Sequence, residues 1–239
     1  MSEISIVTSM SHKLYTQYAA SLIETFKEHN ISFPLHIYTE DNVDLFPTEN
    51  NIILHKISPD WELFRDRNKH RKFKSYMEDG VRFSTKVFSQ YDHYKNIGGK
   101  FLWVDADCVF LAPLTESWIN KMLQESFVAF YDRPGVYTES GVIFFDSTKE
   151  VSDTFFEKYV TYYKEDSVYL LPYYTDCHVF DAVRNSCKNI LDYKENKLGQ
   201  FQSHKNLHVM ALDPSLSPFI DHRKGNRKKF KNSPELLKQ

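Results

Sequence analysis

The sequence predicts a single α/β domain with a central mixed, mostly parallel sheet flanked by helices. Short apolar runs alternate with stretches of helical periodicity from Ile4 onward, the pattern of strands and helices taken in turn. Several of those runs are apolar nearly throughout, as in strands covered on both faces. At 239 residues, 41% hydrophobic and 26% charged, the chain can bury a full core. No repeat, low-complexity stretch or long linker divides it, so residues 1–239 are expected to form one domain, with 222–239 a basic C-terminal tail.

Ile4 to Thr8 reads as the first strand, and Leu14, Tyr18, Leu22 and Phe26 then recur at helical spacing between Lys13 and His29. Pro34 to Tyr38 and Ile52 to Ile57 read as short strands separated by a polar stretch containing Pro47. Between Asp60 and Gly80 the basic residues Arg65, Arg67, Lys69, Arg71, Lys72 and Lys74 indicate a surface helix or a loop over one face. Val81 to Lys95 reads as a helix burying Phe83, Val87 and Tyr91, and Gly98-Gly99 ends it. The apolar run Phe101 to Val104 follows. Ser126 to Tyr131 and Gly141 to Phe145 read as strands joined through the turn-rich Asp132 to Gly135. A helix from about Ser152 to Lys164 carries Phe156, Tyr159 and Tyr163, and another starts at Thr175, a good N-cap. Leu207 to Leu212 is predicted as the last strand.

A formal net charge of -2 argues against a general nucleic-acid binder. No apolar stretch reaches the length of a membrane span, and the start Met1-Ser-Glu-Ile lacks the basic and apolar regions of a signal peptide, so a cytoplasmic location is expected. Cys108, Cys177 and Cys187 are odd in number and form no C-x-x-C pair, which suggests neither a disulfide framework nor a zinc site. Aromatic residues make up 15% of the chain, enough for both core packing and a cleft that stacks rings.

The chemistry concentrates at Asp105-Ala-Asp107, the one D-x-D in the sequence, which ends the run Phe101 to Val104 and precedes Cys108 to Leu111. On a strand edge two carboxylates one residue apart point the same way and share one hard cation. In the helix before it, Arg82 and Lys86 lie four residues apart and therefore on one face. Asp176 follows the N-cap Thr175. A carboxylate there either does chemistry or only complements the helix dipole.

The first strand at the N-terminus, the D-x-D after a central strand, the E-S-G-V run at Glu139 and the H-x-x-G at His222 together resemble the metal-dependent nucleotide-sugar glycosyltransferases of the GT-A fold. The general look is that of the glycogenin and bacterial galactosyltransferase-like group, or of small viral and phage enzymes with the same layout. It covers nearly the whole chain. The resemblance implies a Rossmann-like GT-A domain that transfers a sugar, hexosyl or deoxyhexosyl, from a UDP- or GDP-type donor to a saccharide or other hydroxyl acceptor.

It also implies roles for individual residues. Asp105, Asp107 and His222 would hold Mn2+ or Mg2+, with Asp105 also near the donor ribose, and imidazole favours Mn2+. Thr8, Arg82 and Lys86 would lie along the donor. Lys224 and Arg227 would pair with phosphate oxygens, and Gly225 would allow close backbone approach. Ser140 and Gly141 would line the sugar pocket, where Glu139 stands in place of the asparagine frequent in such enzymes. Asp176 would face the reacting sugar. Neither inversion nor retention is decided by these residues.

Two other classes fit parts of the sequence. Asp105 to Val109 also matches the D-x-D-x-V of haloacid-dehalogenase-like phosphatases, whose first Asp is the nucleophile, although that motif normally opens its chain and no later acidic pair follows here. A noncatalytic basic binding module would use Lys69 to Lys74 and the tail, and leaves the paired aspartates unexplained.

Overall fold

The computed structural model describes residues 4–49, 51–133, 135–200, 208–231 and 233. Strand β1 (Ile4–Ser9) leads to Ser11, whose hydroxyl accepts from the Leu14 N–H at 3.3 Å and caps α1 (His12–Leu14). The helix passes through a π-helical segment, Tyr15–Ala19, into α2 (Ala20–Glu28), which buries Leu22, Ile23 and Phe26. After β2 (Leu35–Thr39) and β3 (Ile52–Lys56), Pro59 starts α3 (Pro59–Asn68), so the basic stretch is a helix first and irregular after it. The Asp79 carboxylate accepts from the Arg82 N–H at 3.1 Å and starts α4 (Gly80–Asn96). Gly98 and Gly99, at φ +70° and +79°, end that helix in the left-handed region that glycine enters without cost.

The remaining elements are β4 (Lys100–Val104), β5 (Cys108–Phe110), α5 (Glu116–Leu123), β6 (Val128–Asp132), β7 (Glu139–Asp146), α6 (Val151–Lys164), α7 (Asp176–Cys187), β8 (Glu195–Gln200), α8 (Val209–Leu212), β9 (Ile220–His222) and α9 (Arg227–Phe230). The strand predicted over 207–212 is not present. Leu207 lies outside the described residues, and Val209–Leu212 is a helical turn whose Met210 N–H is accepted by His208 Nδ1 at 3.3 Å. A short apolar run has no period of its own, and the capping side chain decided for helix.

Among the described residues seven strands form one sheet in the order β3-β2-β1-β4-β7-β6-β8, and β7 runs against the other six of them. Strand alternation divides the core between the two faces. In β4, Leu102 and Val104 pack with α2 and α5, whereas Phe101 and Trp103 pack with α3, α4, α6 and α7. The strand order turns from descending to ascending at β1 and β4, which opens a crevice at the C-terminal ends of those strands. A separate two-stranded ribbon, β5 with β9, crosses that end and pairs Cys108 with His222. No helix among the described residues is long and apolar enough to cross a membrane.

Two buried histidines, His36 in β2 and His93 in α4, cluster with the half-buried His55 of β3. His93 Nε2 lies 2.8 Å from the Ser5 hydroxyl, and His36 Nδ1 lies 2.9 Å from His55 Nε2. Burial, then the neighbouring imidazoles, pushes His36 down to about 4 and His93 well below its ordinary value. The unfolded chain protonates His36 near pH 6.5 and the folded chain only below about 4, so its contribution to stability is full above 6.5 and falls as pH drops through that window, and His93 acts in the same direction. His36 alone contributes on the order of 2 kcal/mol of that loss. Melting curves from pH 7 to pH 4 should show it, and a profile flat across the window would contradict the assignment.

Candidate active site

The turn after β4 carries the two aspartates. Val104 ends the strand, and the Cys108 N–H bonds back to the Asp105 carbonyl at 2.9 Å, so Asp105-Ala106-Asp107 is a tight turn and not the strand edge that the sequence predicts. Both carboxylates nevertheless converge. His222 Nε2 lies 3.0 Å from Asp107 Oδ1 and 3.9 Å from Asp105 Oδ2. The β5–β9 pairing supplies this geometry, because it sets His222 across from the residue that follows Asp107.

Glycine at 141 is required by the same imidazole. A Cβ at Gly141 would clash with His222 Cε1 and come within 2.5 Å of Nδ1, so this position leaves room for the histidine. We expect Gly141→Ala to cost about 1–3 kcal/mol through overpacking and to displace His222. A melting curve beside a Mn2+ titration followed by electron paramagnetic resonance checks this; unchanged values in both would contradict it.

His222 is buried and touches several charges. Burial disfavours its charged form, but Asp107, Glu139 and Asp105 outweigh that and raise its pKa. Its Nδ1 lies 3.2 Å from His208 Nε2, and burial followed by the His222 charge holds His208 down at about 3. Lys228 reaches Asp107 Oδ2 at 2.9 Å from the other side. Burial would raise the Asp107 pKa, yet His222 and Lys228 hold it far below the carboxylate range. Glu139 is also buried and is met by Arg133 at 3.0 Å and Lys224 at 3.1 Å. Burial opposes its charge, but Lys224, His222 and Arg133 keep it ionised.

A second cluster adjoins the first. Lys86 lies 2.7 Å from both Asp105 Oδ1 and Asp176 Oδ2 and donates to the Ser140 carbonyl at 3.0 Å. Burial alone would lower its pKa, whereas the two carboxylates raise it, so the ammonium stays charged. The Ser140 hydroxyl donates to Asp176 Oδ2 at 2.6 Å, and the Trp103 indole N–H donates to Asp105 Oδ1 at 2.9 Å. Asp176 is the first residue of α7, capped by Thr175, whose hydroxyl accepts from the His178 N–H at 3.4 Å. Its carboxylate therefore holds a buried lysine as well as facing a helix dipole.

These groups line one cavity of about 340 Å³. Asp105, Asp107, Ser140, Asp176, Lys86, His222, Lys224, Gly225 and Arg82 all contribute to its wall. Asp176 and Glu139 are buried, Asp105 and Asp107 are half-buried, and Arg82 and Lys224 are exposed. A second hollow of about 280 Å³ opens over the ends of β1 and β2 and shares Arg82 with the first. Arg82 and Lys86 differ more than their shared helix face predicts, since one is at the surface and the other buried. Thr8 lines neither hollow; it is fully buried and its hydroxyl has no partner among the described residues. Arg227 starts α9 outside the cavity wall. His222 ends strand β9. Glu139 and Lys228 also line the cavity and were not among the predicted site residues. Lys228 stands in a run of like basic residues that sequence cannot tell apart, but Glu139, an acid at the head of the apolar run 141–145, was a usable signal.

Carboxylate and imidazole donors at this spacing could hold a divalent cation. Asp107, Cys108 and His222 offer ligand atoms all within 4.8 Å of one another. Cys108 is the poorer member. Its sulfur is a soft donor, and a hard cation prefers a carboxylate oxygen, which Asp105 offers 3.9 Å from His222 Nε2.

Neither a protein-family model nor a curated protein matches this sequence. Solved structures do match. The WbbM bifunctional glycosyltransferase superposes on 94% of this chain at 15% identity with a TM-score of 0.55, and the chain spans only 46% of that protein's length. Mouse xyloside xylosyltransferase 1 superposes on 82% of this chain, over 85% of its own, at 10% identity with a TM-score of 0.50. At these identities the likeness shows a common fold.

Proposed function

We propose that the protein is a metal-dependent glycosyltransferase that moves a sugar from a nucleotide-diphosphate donor to a hydroxyl acceptor. The observation that carries this reading is the convergence of Asp105, Asp107 and His222 at one cavity with Arg82, Lys224 and Lys228 around it. Donors for a cation and partners for phosphate oxygens thus share one site at the C-terminal edge of the sheet. The fold common to two glycosyltransferases supports the same reading.

Asp107, His222 and Asp105 would hold Mn2+ or Mg2+. Bound there, the ion would neutralise the diphosphate leaving group. Lys224 and Arg82 would pair with phosphate oxygens, and Lys228 would leave Asp107 for a phosphate when the cation arrives. Gly225, at φ +65° with open space around it, would let the backbone approach the diphosphate. The hollow over β1 and β2, walled by Met10, Leu14, Tyr38, Ile57 and Trp61, would take the base of a UDP- or GDP-type donor. The Lys86, Asp176 and Ser140 cluster would lie beneath the sugar, where Asp176 either orients it or accepts the acceptor's proton.

The test is hydrolysis or transfer from a panel of nucleotide sugars. Release of one nucleoside diphosphate with Mn2+, and none after chelation, supports the reading; equal release without metal contradicts it.

A further inference from the structure

Aromatic rings continue the cavity wall outward, past the charged groups. Tyr137 lines the cavity, and the His178 ring lies 4.8 Å from it at a tilt of 44°. Tyr173 follows, 5.1 Å from His178 at a tilt of 56°. Rings tilted in this way meet partly edge to face and leave the outer face of the last ring open. Tyr173 is 40% exposed, and the neighbouring Val136 and Tyr76 are 50% and 61% exposed. Tyr76 also lines the cavity, and the Tyr174 N–H bonds to the Met77 carbonyl at 2.9 Å, so the segments on either side of the mouth are tied together.

The wall is built and not merely uncovered. Arg133 stacks on Tyr137 with its guanidinium 4.5 Å from the ring centre. The Thr175 hydroxyl lies 2.7 Å from His178 Nδ1 and fixes that ring beside Asp176. His178 Nε2 makes no hydrogen bond among the described residues, which leaves a polar atom between two tyrosine rings. Burial lowers the His178 pKa, so the imidazole is neutral near pH 7. An exposed apolar patch at the rim of a cavity marks a binding surface.

We propose that Tyr137, His178 and Tyr173 bind the acceptor, and that the acceptor is a saccharide. A pyranose has an apolar C–H face and a rim of hydroxyls. The exposed Tyr173 ring suits the face, with Tyr137 closing the inner end, and His178 Nε2 suits a hydroxyl at the rim. An alkyl chain would cover the rings but leave Nε2 without a partner. The wall starts beside Asp176, so a sugar lying on it would present its hydroxyl to the reacting centre. This inference rests on the transferase reading of the cavity.

The experiment records tyrosine and histidine ring resonances of the whole chain while methyl pyranosides of glucose, galactose, mannose, xylose and rhamnose are added one at a time. At least one should move Tyr137, Tyr173 and His178. Tyr173→Ala and His178→Ala should each weaken that glycoside about tenfold. Tyr173→Phe should keep the affinity within about twofold, because the ring face remains. Melting curves confirm that the variants fold. Shifts at these rings with none of the glycosides, equal affinity in Tyr173→Ala, or shifts only with a serine/threonine peptide or octanol would each overturn the proposal. Nucleoside diphosphates with Mn2+ are titrated separately into the same wild-type sample. Failure of that titration would count against the transferase reading, while the glycoside shifts would still decide this one.

Discussion

Asp107→Ala should abolish metal-assisted binding of a nucleoside diphosphate while the fold persists. The carboxylate faces His222 at 3.0 Å and Lys228 at 2.9 Å, and it is the best-placed oxygen donor to a cation at the site. Losing even a group that only supports a ligand costs about 10–100-fold in metal affinity, and removing a ligand itself should cost at least about 100-fold. Stability should change far less. Asp107 is the main influence that raises the His222 pKa, so without it the buried imidazole can become neutral instead of remaining an unpaired charge. Calorimetric titration of nucleoside diphosphates with Mn2+, beside a melting curve, reads both quantities. Wild-type affinity in the variant would remove the metal site.

Asp176→Asn should lower kcat by about 10²–10⁴-fold with little change in nucleoside diphosphate affinity. The group lies in the second cluster, at the sugar end of the proposed donor path and apart from the phosphate-binding cations. A stability cost accompanies it, because Lys86 loses one of its two carboxylates. Asp105 remains as a partner and asparagine can still accept, so the loss should be about 1–3 kcal/mol, below that of a fully broken buried pair. That exceeds the loss expected if Asp176 served only a helix dipole. Kinetics below the melting transition separate the two effects, and near-normal kcat would leave Asp176 a purely structural anchor for Lys86.

Much of this was legible in the sequence because local rules carried it. The alternation of apolar runs and helical periods gave the order of β1, α2, β2, β3, α4, β4, β6, β7, α6 and α7. Thr175 and the Gly98-Gly99 stop worked as caps through backbone chemistry that needs no tertiary contact. Helix α5 was also readable and was missed. Thr115 caps it, and Trp118, Ile119, Met122 and Leu123 form its buried stripe. Strand β8 gave little signal, because Glu195–Gln200 is a largely polar edge that takes its pairing from β6.

At the site, residue types were legible and their pairings were not. The D-x-D and His222 stand far apart in sequence, and the ribbon of β5 with β9 that joins them is a tertiary event with no local signature. Lys86 looked like a twin of Arg82. Its burial follows from Asp105 and Asp176 meeting over it, which only the folded sheet and α7 can arrange.

The most direct measurement is a thermal-shift titration of UDP, GDP, ADP and CDP, each with Mn2+ and with chelator. The account predicts that the uridine or guanosine diphosphate raises Tm only when metal is present, and that Asp107→Ala loses the shift. An equal shift with and without metal, or no shift with any of the four, would contradict it.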